Sequence, residues 1–260
     1  MLHPPERRDR ARVVLPELPE CLPVWIAQSK AHNHTRRRGA RVFRSSIAPE
    51  VETVAGVRLA APLDTLLACA RDLAVLDLVV LVDSALQLGA VTLEELRAVS
   101  RRRRGAGRLL RALQLADGRS ESAWESLLRV LHAVSGIAVE SQREFRHGGV
   151  FVARADLWLI GTMTIHEYDG AEHRKRRRQQ QDLRRDRRII AAGLVRRGYV
   201  KDDIESRPEE IIREACVAVG RPFDLTLMRP WLGLWHDSSY SPLGRLRLAE
   251  RLAVPGRGGG

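Results

Sequence analysis

The sequence predicts a mixed α/β fold, and two features of the chain favour it. Apolar residues recur at helical spacing through most of residues 62–135. Beyond them, residues 136–145, 148–159 and 162–170 alternate polar and apolar side chains and are separated by glycine-containing turns. A basic helical segment at 173–193 follows these three predicted strands. With a further β-type stretch after that segment, the order predicts a mixed sheet flanked by helices.

The first half of the chain is predicted to be a smaller β-then-α region, at residues 21–118, behind a loose leader at 1–20. The leader is rich in Pro, Arg and Glu. Three short runs at the start of the region have β-type composition, and from Pro62 the apolar period becomes helical. Thr92 with Glu95 forms the capping-box pattern that opens a helix. The β-type runs are 22–28, 40–46 and 56–60.

The second half is predicted to be an α/β domain at residues 119–222. Ser122 and Glu125 open its first helix, three antiparallel strands follow, and a helix at 208–220 ends it. Residues 223–254 form a C-terminal extension, in which tryptophans are expected to pack onto the core. The glycine-rich tail at 255–260 is expected to be disordered. The tryptophans are Trp231 and Trp235.

The charge balance favours a polyanionic partner such as DNA. Lys and Arg number 44 against 32 Asp and Glu, which gives a formal net charge of +12. The run RKRRRQQQDLRRDRR is most simply a solvated helix face, yet beside an acidic site it can neutralise phosphates. An inert basic surface is the alternative. The expected DNA contacts are Arg174, Lys175, Arg176, Arg177, Arg178 and Arg185.

Other classes of protein receive less support from the composition. The three cysteines are odd in number and far apart, which argues against a disulfide framework or a zinc site. The most apolar run, at 73–91, carries Asp77 and Asp83, too much charge for a membrane span. No signal-peptide pattern precedes it. We therefore expect a cytoplasmic protein.

Three acidic residues stand out on two of the predicted strands. Side chains two apart on a strand share a face, so Glu167 and Asp169 project together, and pairing with the preceding strand can bring Asp156 near Glu167. Carboxylates held so close repel unless they are protonated, paired with arginine or bridged by a cation. Their oxygens suit Mg²⁺ (or Mn²⁺), His173 is placed to act as a general acid or base, and Glu125 is a candidate further ligand.

Each of these residues also has an ordinary structural interpretation. Glu125 would serve only as the second half of a capping box. Asp156 would form an ion pair with Arg154 or Arg143. Asp169 with Gly170 is a common turn pair, and His173 would be a surface or helix-capping histidine.

Five motifs carry a resemblance to a known family. They are SAWESLLRVL, ARADLWL, HEYDGAEH, the D-x-x-R pattern of Asp182 to Arg185, and the terminal Gly193. In this order they resemble the very-short-patch-repair-like branch of the PD-(D/E)xK restriction-endonuclease superfamily. More specifically, they are similar to actinobacterial proteins in which such a domain follows a region similar to abortive-infection type IV antitoxins. Residues 22–204 share the resemblance, including RLAAPLDTLLACARDL, LVDSALQLGAVTLEEL and LADGRSESAWES.

The resemblance implies a four-stranded mixed sheet of restriction-endonuclease type and Mg²⁺-dependent cleavage of DNA. Asp156 matches the first metal-binding aspartate and Glu167 the acid of the second motif. Asp169, Gly170 and His173 match an E-x-D-G-x-x-H extension, and Glu125 matches a helix glutamate. Two positions depart from the pattern: Ala155 replaces a frequent proline, and Asp169 takes the place of the superfamily's usual lysine.

The sequence therefore predicts an Mg²⁺-dependent DNA endonuclease. The alternative is a non-catalytic DNA-binding or antitoxin-like regulatory protein. A toxin or other protein partner is left open.

Overall fold

The computed structural model describes residues 24–31, 40–45, 50–100, 105–170 and 185–252. Within them the chain is a mixed α/β protein, as the sequence predicts. The leader at 1–20 and the tail at 255–260 lie outside the described residues.

The N-terminal region begins with two separate two-stranded sheets. Strands β1 (Val24–Ser29) and β2 (Ala40–Ser45) are parallel, and β3 (Val51–Val54) and β4 (Val57–Ala60) form an antiparallel hairpin. Its turn residues Ala55 and Gly56 both have positive φ, at 50° and 79°, the geometry that matches the twist of a two-residue hairpin. The β-type runs predicted the other three strands, and β3 was not predicted.

Four helices follow and supply much of the main core. Most of helix α2 is buried, because leucine and valine cover most of its circumference. Helix α3 begins at the predicted capping box, in which the backbone N–H of Thr92 donates to the Glu95 carboxylate at 2.7 Å and the Thr92 hydroxyl accepts from the Glu95 N–H at 3.2 Å. The helices are α1 (Pro62–Cys69), α2 (Val75–Gln87), α3 (Leu93–Val99) and α4 (Ala106–Leu115).

A four-stranded mixed sheet forms the centre of the second half. Its strand order is β5-β6-β7-β8, with antiparallel β5/β6 and β6/β7 pairs and a parallel β7/β8 pair. The parallel pair requires a crossover, and residues 185–191, which we label α6, are the described helical part of it. The strands are β5 (Val139–His147), β6 (Val150–Leu159), β7 (Thr164–Tyr168) and β8 (Val195–Tyr199), and helix α5 (Ala123–Val134) precedes them.

The sheet is buried on both sides. Leu157, Leu159 and Tyr199 belong to the main core with the helices of the first half. Ile165 instead joins a smaller cluster with Ile189 of α6 and neighbouring residues. Asp156 and Glu167 therefore lie on strands that are packed on both faces.

The C-terminal extension is more regular than the sequence indicated. It forms a short 3₁₀ turn and two helices, and Trp231 and Trp235 are stacked in the main core, as expected, with ring centroids 5.4 Å apart. Buried Asp77 of α2 accepts hydrogen bonds from the Ser238 hydroxyl at 2.5 Å and the Ser239 N–H at 2.9 Å. The final helices are α7 (Lys201–Ser206), α8 (Pro208–Ala218), α9 (Arg229–Asp237) and α10 (Pro242–Leu252). Among the described helices, none has the length and apolar character needed to cross a bilayer.

Candidate acidic site on the mixed sheet

The β6/β7 pair places Asp156 opposite Glu167. Leu157 pairs with His166 and Trp158 with Ile165, so the next step of the same antiparallel register sets Asp156 across from Glu167 on a shared face. The regular ladder ends there, and the Asp156 Oδ2 atom accepts the backbone N–H of Tyr168 at 2.9 Å. The prediction that the two acids come together from neighbouring strands is consistent with this register.

Asp156 forms no direct ion pair with a described side chain, although Arg185 is close enough to lower its pKa slightly. Burial, together with the nearby carboxylates of Glu125 and Glu167, raises the pKa of Asp156 from 3.8 to about 7. Arg154 pairs instead with Glu121 at 2.8 Å, and Arg143 pairs with Glu140 at 3.2 Å. The ordinary ion pairs considered for Asp156 are therefore absent from the described part of the chain.

Glu125 faces the same region from the first turn of α5. The Ser122 hydroxyl caps the helix by accepting the Glu125 N–H at 3.2 Å, so half of the predicted capping box is present. The Glu125 carboxylate, however, accepts from the backbone N–H of Glu121 at 2.8 Å and from the Gln142 amide at 3.0 Å. Burial raises the pKa of Glu125. The side chain is therefore more than a helix cap.

Gln142 is a site residue that the sequence did not reveal. On β5 it lies between Ser141, which pairs with Leu157, and Arg143, which pairs with Ala155, so it sits across from Asp156. Its amide donates to Glu125 and, at 3.5 Å, to the Asp156 Oδ1 atom. Its φ is 56°, which is uncommon for a residue with a side chain and concentrates at functional positions. Only the strand register could have identified it.

Glu167 is held by two arginines. The carboxylate is 3% exposed, and Arg185 of α6 contacts both of its oxygens with a forked guanidinium. Arg196 of β8 contacts the Oε2 atom through Nε, and its NH2 group donates to Asp169 at 2.5 Å. Arg185, predicted to contact DNA, thus binds the second acid of the site.

Asp169 lies one residue beyond the end of β7. Its backbone N–H donates to the carbonyl of Tyr199 at 2.7 Å, which keeps it beside β8. Gly198 makes room for its carboxylate, because a Cβ at that glycine would lie 2.0 Å from the Asp169 Oδ2 atom. His173 and the predicted DNA contacts Arg174, Lys175, Arg176, Arg177 and Arg178 lie outside the described residues.

A buried polar chain runs behind the site. The His132 Nε2 and His166 Nδ1 atoms are 2.9 Å apart, and the Tyr199 hydroxyl lies 3.4 Å from His166 Nε2 and donates to Glu214 at 2.8 Å. Both imidazoles are fully buried. Burial lowers the pKa of His132 to about 4 and lowers that of His166 as well, so both rings are neutral at pH 7.

The oxygen ligands and the net negative charge of the acidic site suit a hard divalent cation. Four carboxylates (Glu125, Asp156, Glu167 and Asp169) face two guanidinium groups, those of Arg185 and Arg196, so the ionised set carries a net charge of −2. Carboxylate oxygens are the ligands that Mg²⁺ prefers. In the described conformation, however, Arg185 and Arg196 occupy Glu167, and no His, Cys, Asp and Glu side chains of the described residues form a group of three or more arranged to hold a metal.

Comparisons with family models, with curated proteins and with solved structures found no match to this chain. The geometry therefore carries the functional argument.

Proposed function

We propose that the protein is an Mg²⁺-dependent (or Mn²⁺-dependent) DNA endonuclease that hydrolyses phosphodiester bonds, with a restriction-endonuclease-like sheet as its scaffold. The observation that carries the proposal is the acidic group across β6 and β7. Asp156 lies opposite Glu167, close to Glu125, and forms no direct ion pair with a described arginine or lysine, so its pKa stays raised to about 7. Proteins rarely retain buried, uncompensated carboxylates without a functional reason.

Asp156 and Glu167 are the residues that would hold the cation. A divalent ion bound there would lower the pKa of an attacking water and offset charge on the leaving oxygen. Gln142 fixes the relative positions of Glu125 and Asp156 by donating to both. The net charge of +12 favours binding of a polyanion, and cytoplasmic DNA is the substrate that fits this proposal. His173 stays a predicted proton-transfer residue.

Plasmid nicking tests the proposal. Purified protein is incubated with supercoiled plasmid and Mg²⁺, beside Asp156→Ala, Glu167→Ala and an Arg247→Ala control on the exposed surface of α10. We expect wild-type protein and the control to nick the plasmid, both acid variants to be inactive, and chelation of the metal to stop cleavage. Nicking that persists in both folded acid variants would refute this assignment of the site.

The second candidate is a non-catalytic DNA-binding or antitoxin-like regulatory protein. The arginine pair on Glu167 favours it, because that carboxylate already has two charge partners. This reading predicts equal, metal-independent and salt-sensitive DNA retention by the wild type and both acid variants, with no nicking by any of them.

A further inference from the structure

We propose that Arg185 and Arg196 are counter-ions of Glu167 that DNA phosphate displaces. Without DNA they hold the carboxylate; with DNA they move to phosphate oxygens and leave Glu167 open to the divalent cation. Metal binding and DNA binding would then favour each other. This inference rests on the proposed function and adds a means of regulating the same site.

The first support is that metal and arginine compete for the same oxygens. An ionised carboxylate offers about four acceptor positions. Three donors already occupy most of the acceptor positions of Glu167, with Arg185 NH2 on Oε1 and both Arg185 NH1 and Arg196 Nε on Oε2. A divalent ion on this carboxylate would also lie next to two guanidinium charges, which repel it. Tight metal binding therefore requires the arginines to withdraw.

The second support is that the arginines can withdraw, because they reach a buried carboxylate from the surface. Their side chains are 32% and 27% exposed, while Glu167 is 3% exposed. They also come from two different elements, α6 and β8, so neither depends on the other for its position. Withdrawal also breaks the contact of Arg196 with Asp169 and that of Arg185 with the Arg154 carbonyl, so phosphate and the cation must replace those partners.

A structural ion pair elsewhere in the protein differs in this respect. Arg129 and Asp83 are both buried, with side chains 7% and 1% exposed. Arg129 donates to the Leu115 carbonyl as Arg185 does to the Arg154 carbonyl, so exposure is what distinguishes the two arginines. That pair has no access to a ligand. The exposed arginines of Glu167 do not follow this pattern.

The third support is the chemistry of the guanidinium group. Guanidinium groups bind carboxylates and phosphates in the same bidentate manner. A DNA phosphate offers Arg185 and Arg196 an equivalent partner in a less buried position. Once they have moved, Glu167 and Asp156 face each other without a counter-ion, and the divalent cation restores the balance.

The test measures Mn²⁺ affinity without DNA, by electron paramagnetic resonance of the free ion. We compare wild type with Arg185→Gln and Arg196→Gln, and with Arg187→Gln as a control that removes the same charge from an exposed position on α6. Each single variant leaves Glu167 one arginine, which limits the loss of stability. We expect about tenfold tighter Mn²⁺ binding in both test variants, within the usual range of site-to-site coupling, and no more than about twofold in the control.

A second arm adds a short DNA duplex to the wild type, with Mn²⁺ binding by the duplex alone subtracted. We expect the duplex to tighten Mn²⁺ binding to wild-type protein and to have a smaller effect on the two test variants. If a glutamine variant fails to fold, Arg185→Lys and Arg196→Lys replace it, since lysine keeps the positive charge but cannot form the bidentate hydrogen bonds of a guanidinium group. A smaller gain in Mn²⁺ affinity is then expected.

Two failures are distinguishable. If the folded test variants bind Mn²⁺ no tighter than Arg187→Gln while the wild type still nicks plasmid, the counter-ion inference is wrong and the nuclease proposal survives. If neither wild type nor any variant binds Mn²⁺, with or without the duplex, both are wrong.

Discussion

Replacing Asp156 with asparagine should stabilise the metal-free protein. Asparagine keeps an oxygen that accepts the Tyr168 N–H and removes a carboxylate that burial, together with Glu125 and Glu167, makes difficult to ionise. A pKa raised from 3.8 to about 7 corresponds to an upper limit of ~4 kcal/mol at high pH, at about 1.36 kcal/mol per pKa unit. Because the asparagine amide must also be buried, we expect a gain of about 1–3 kcal/mol in the free energy of unfolding.

Thermal unfolding in the presence of a chelator measures this effect. A gain of that size raises Tm by roughly 2–12 °C for a chain of this length. The pKa of this acid is higher in the folded state, so ionisation costs folded-state stability as pH rises from about 4 to 7. The difference between Asp156→Asn and wild type should therefore be small near pH 4 and complete above pH 7.

Asp83→Asn provides the matched control. Asp83 is also a buried carboxylate, but Arg129, the Ser126 hydroxyl and two backbone N–H groups satisfy it. Removing its charge leaves buried Arg129 with Asp117, 3.4 Å from its Nε atom, as its remaining described counter-ion, which costs up to ~3–5 kcal/mol. If both substitutions destabilise the protein, Asp156 is a structural acid, and our reasoning about an uncompensated charge is refuted.

Three further outcomes follow from other parts of the structure. His132 and His166 have lowered pKa values in the folded state, so their contribution to stability should be complete above about pH 6.5 and should fall as pH decreases towards 4. Urea unfolding at several pH values measures this effect. An unchanged unfolding midpoint would contradict it. Gln142→Gly should reduce plasmid nicking about tenfold or more with little loss of Tm, since glycine accepts a φ of 56°. Asp77→Ala removes the acceptor of the Ser238 and Ser239 hydrogen bonds and should lower the free energy of unfolding by ~2–4 kcal/mol. Proteolysis near those serines should then increase. Protection equal to that of the wild type would show that this contact does not anchor the C-terminal helices.

The position of Asp156 and Glu167 on neighbouring strands could be predicted because both depend on local rules. Strand alternation fixes which side chains share a face, and the short connection between β6 and β7 limits the register. The partners of these acids could not be predicted in the same way. Gln142 is 14 residues from Asp156, and Arg196 is 29 residues from Glu167. Nothing local in the sequence distinguishes them from the many other polar and basic residues of the chain.

The sequence by itself determined the mixed α/β class, the three antiparallel strands that carry the acids, the capping of α3 at Thr92, and the excess of positive charge, since each follows from residues close together in the chain or from composition alone. Only the tertiary structure decided which carboxylates are compensated. Glu167 has two arginines and Asp156 has none among the described residues, although both are acids on adjacent strands of one sheet. The physical reason is that ion pairs depend on distances of a few ångströms between groups far apart in sequence, and these distances exist only once the sheet and its crossover helix have packed.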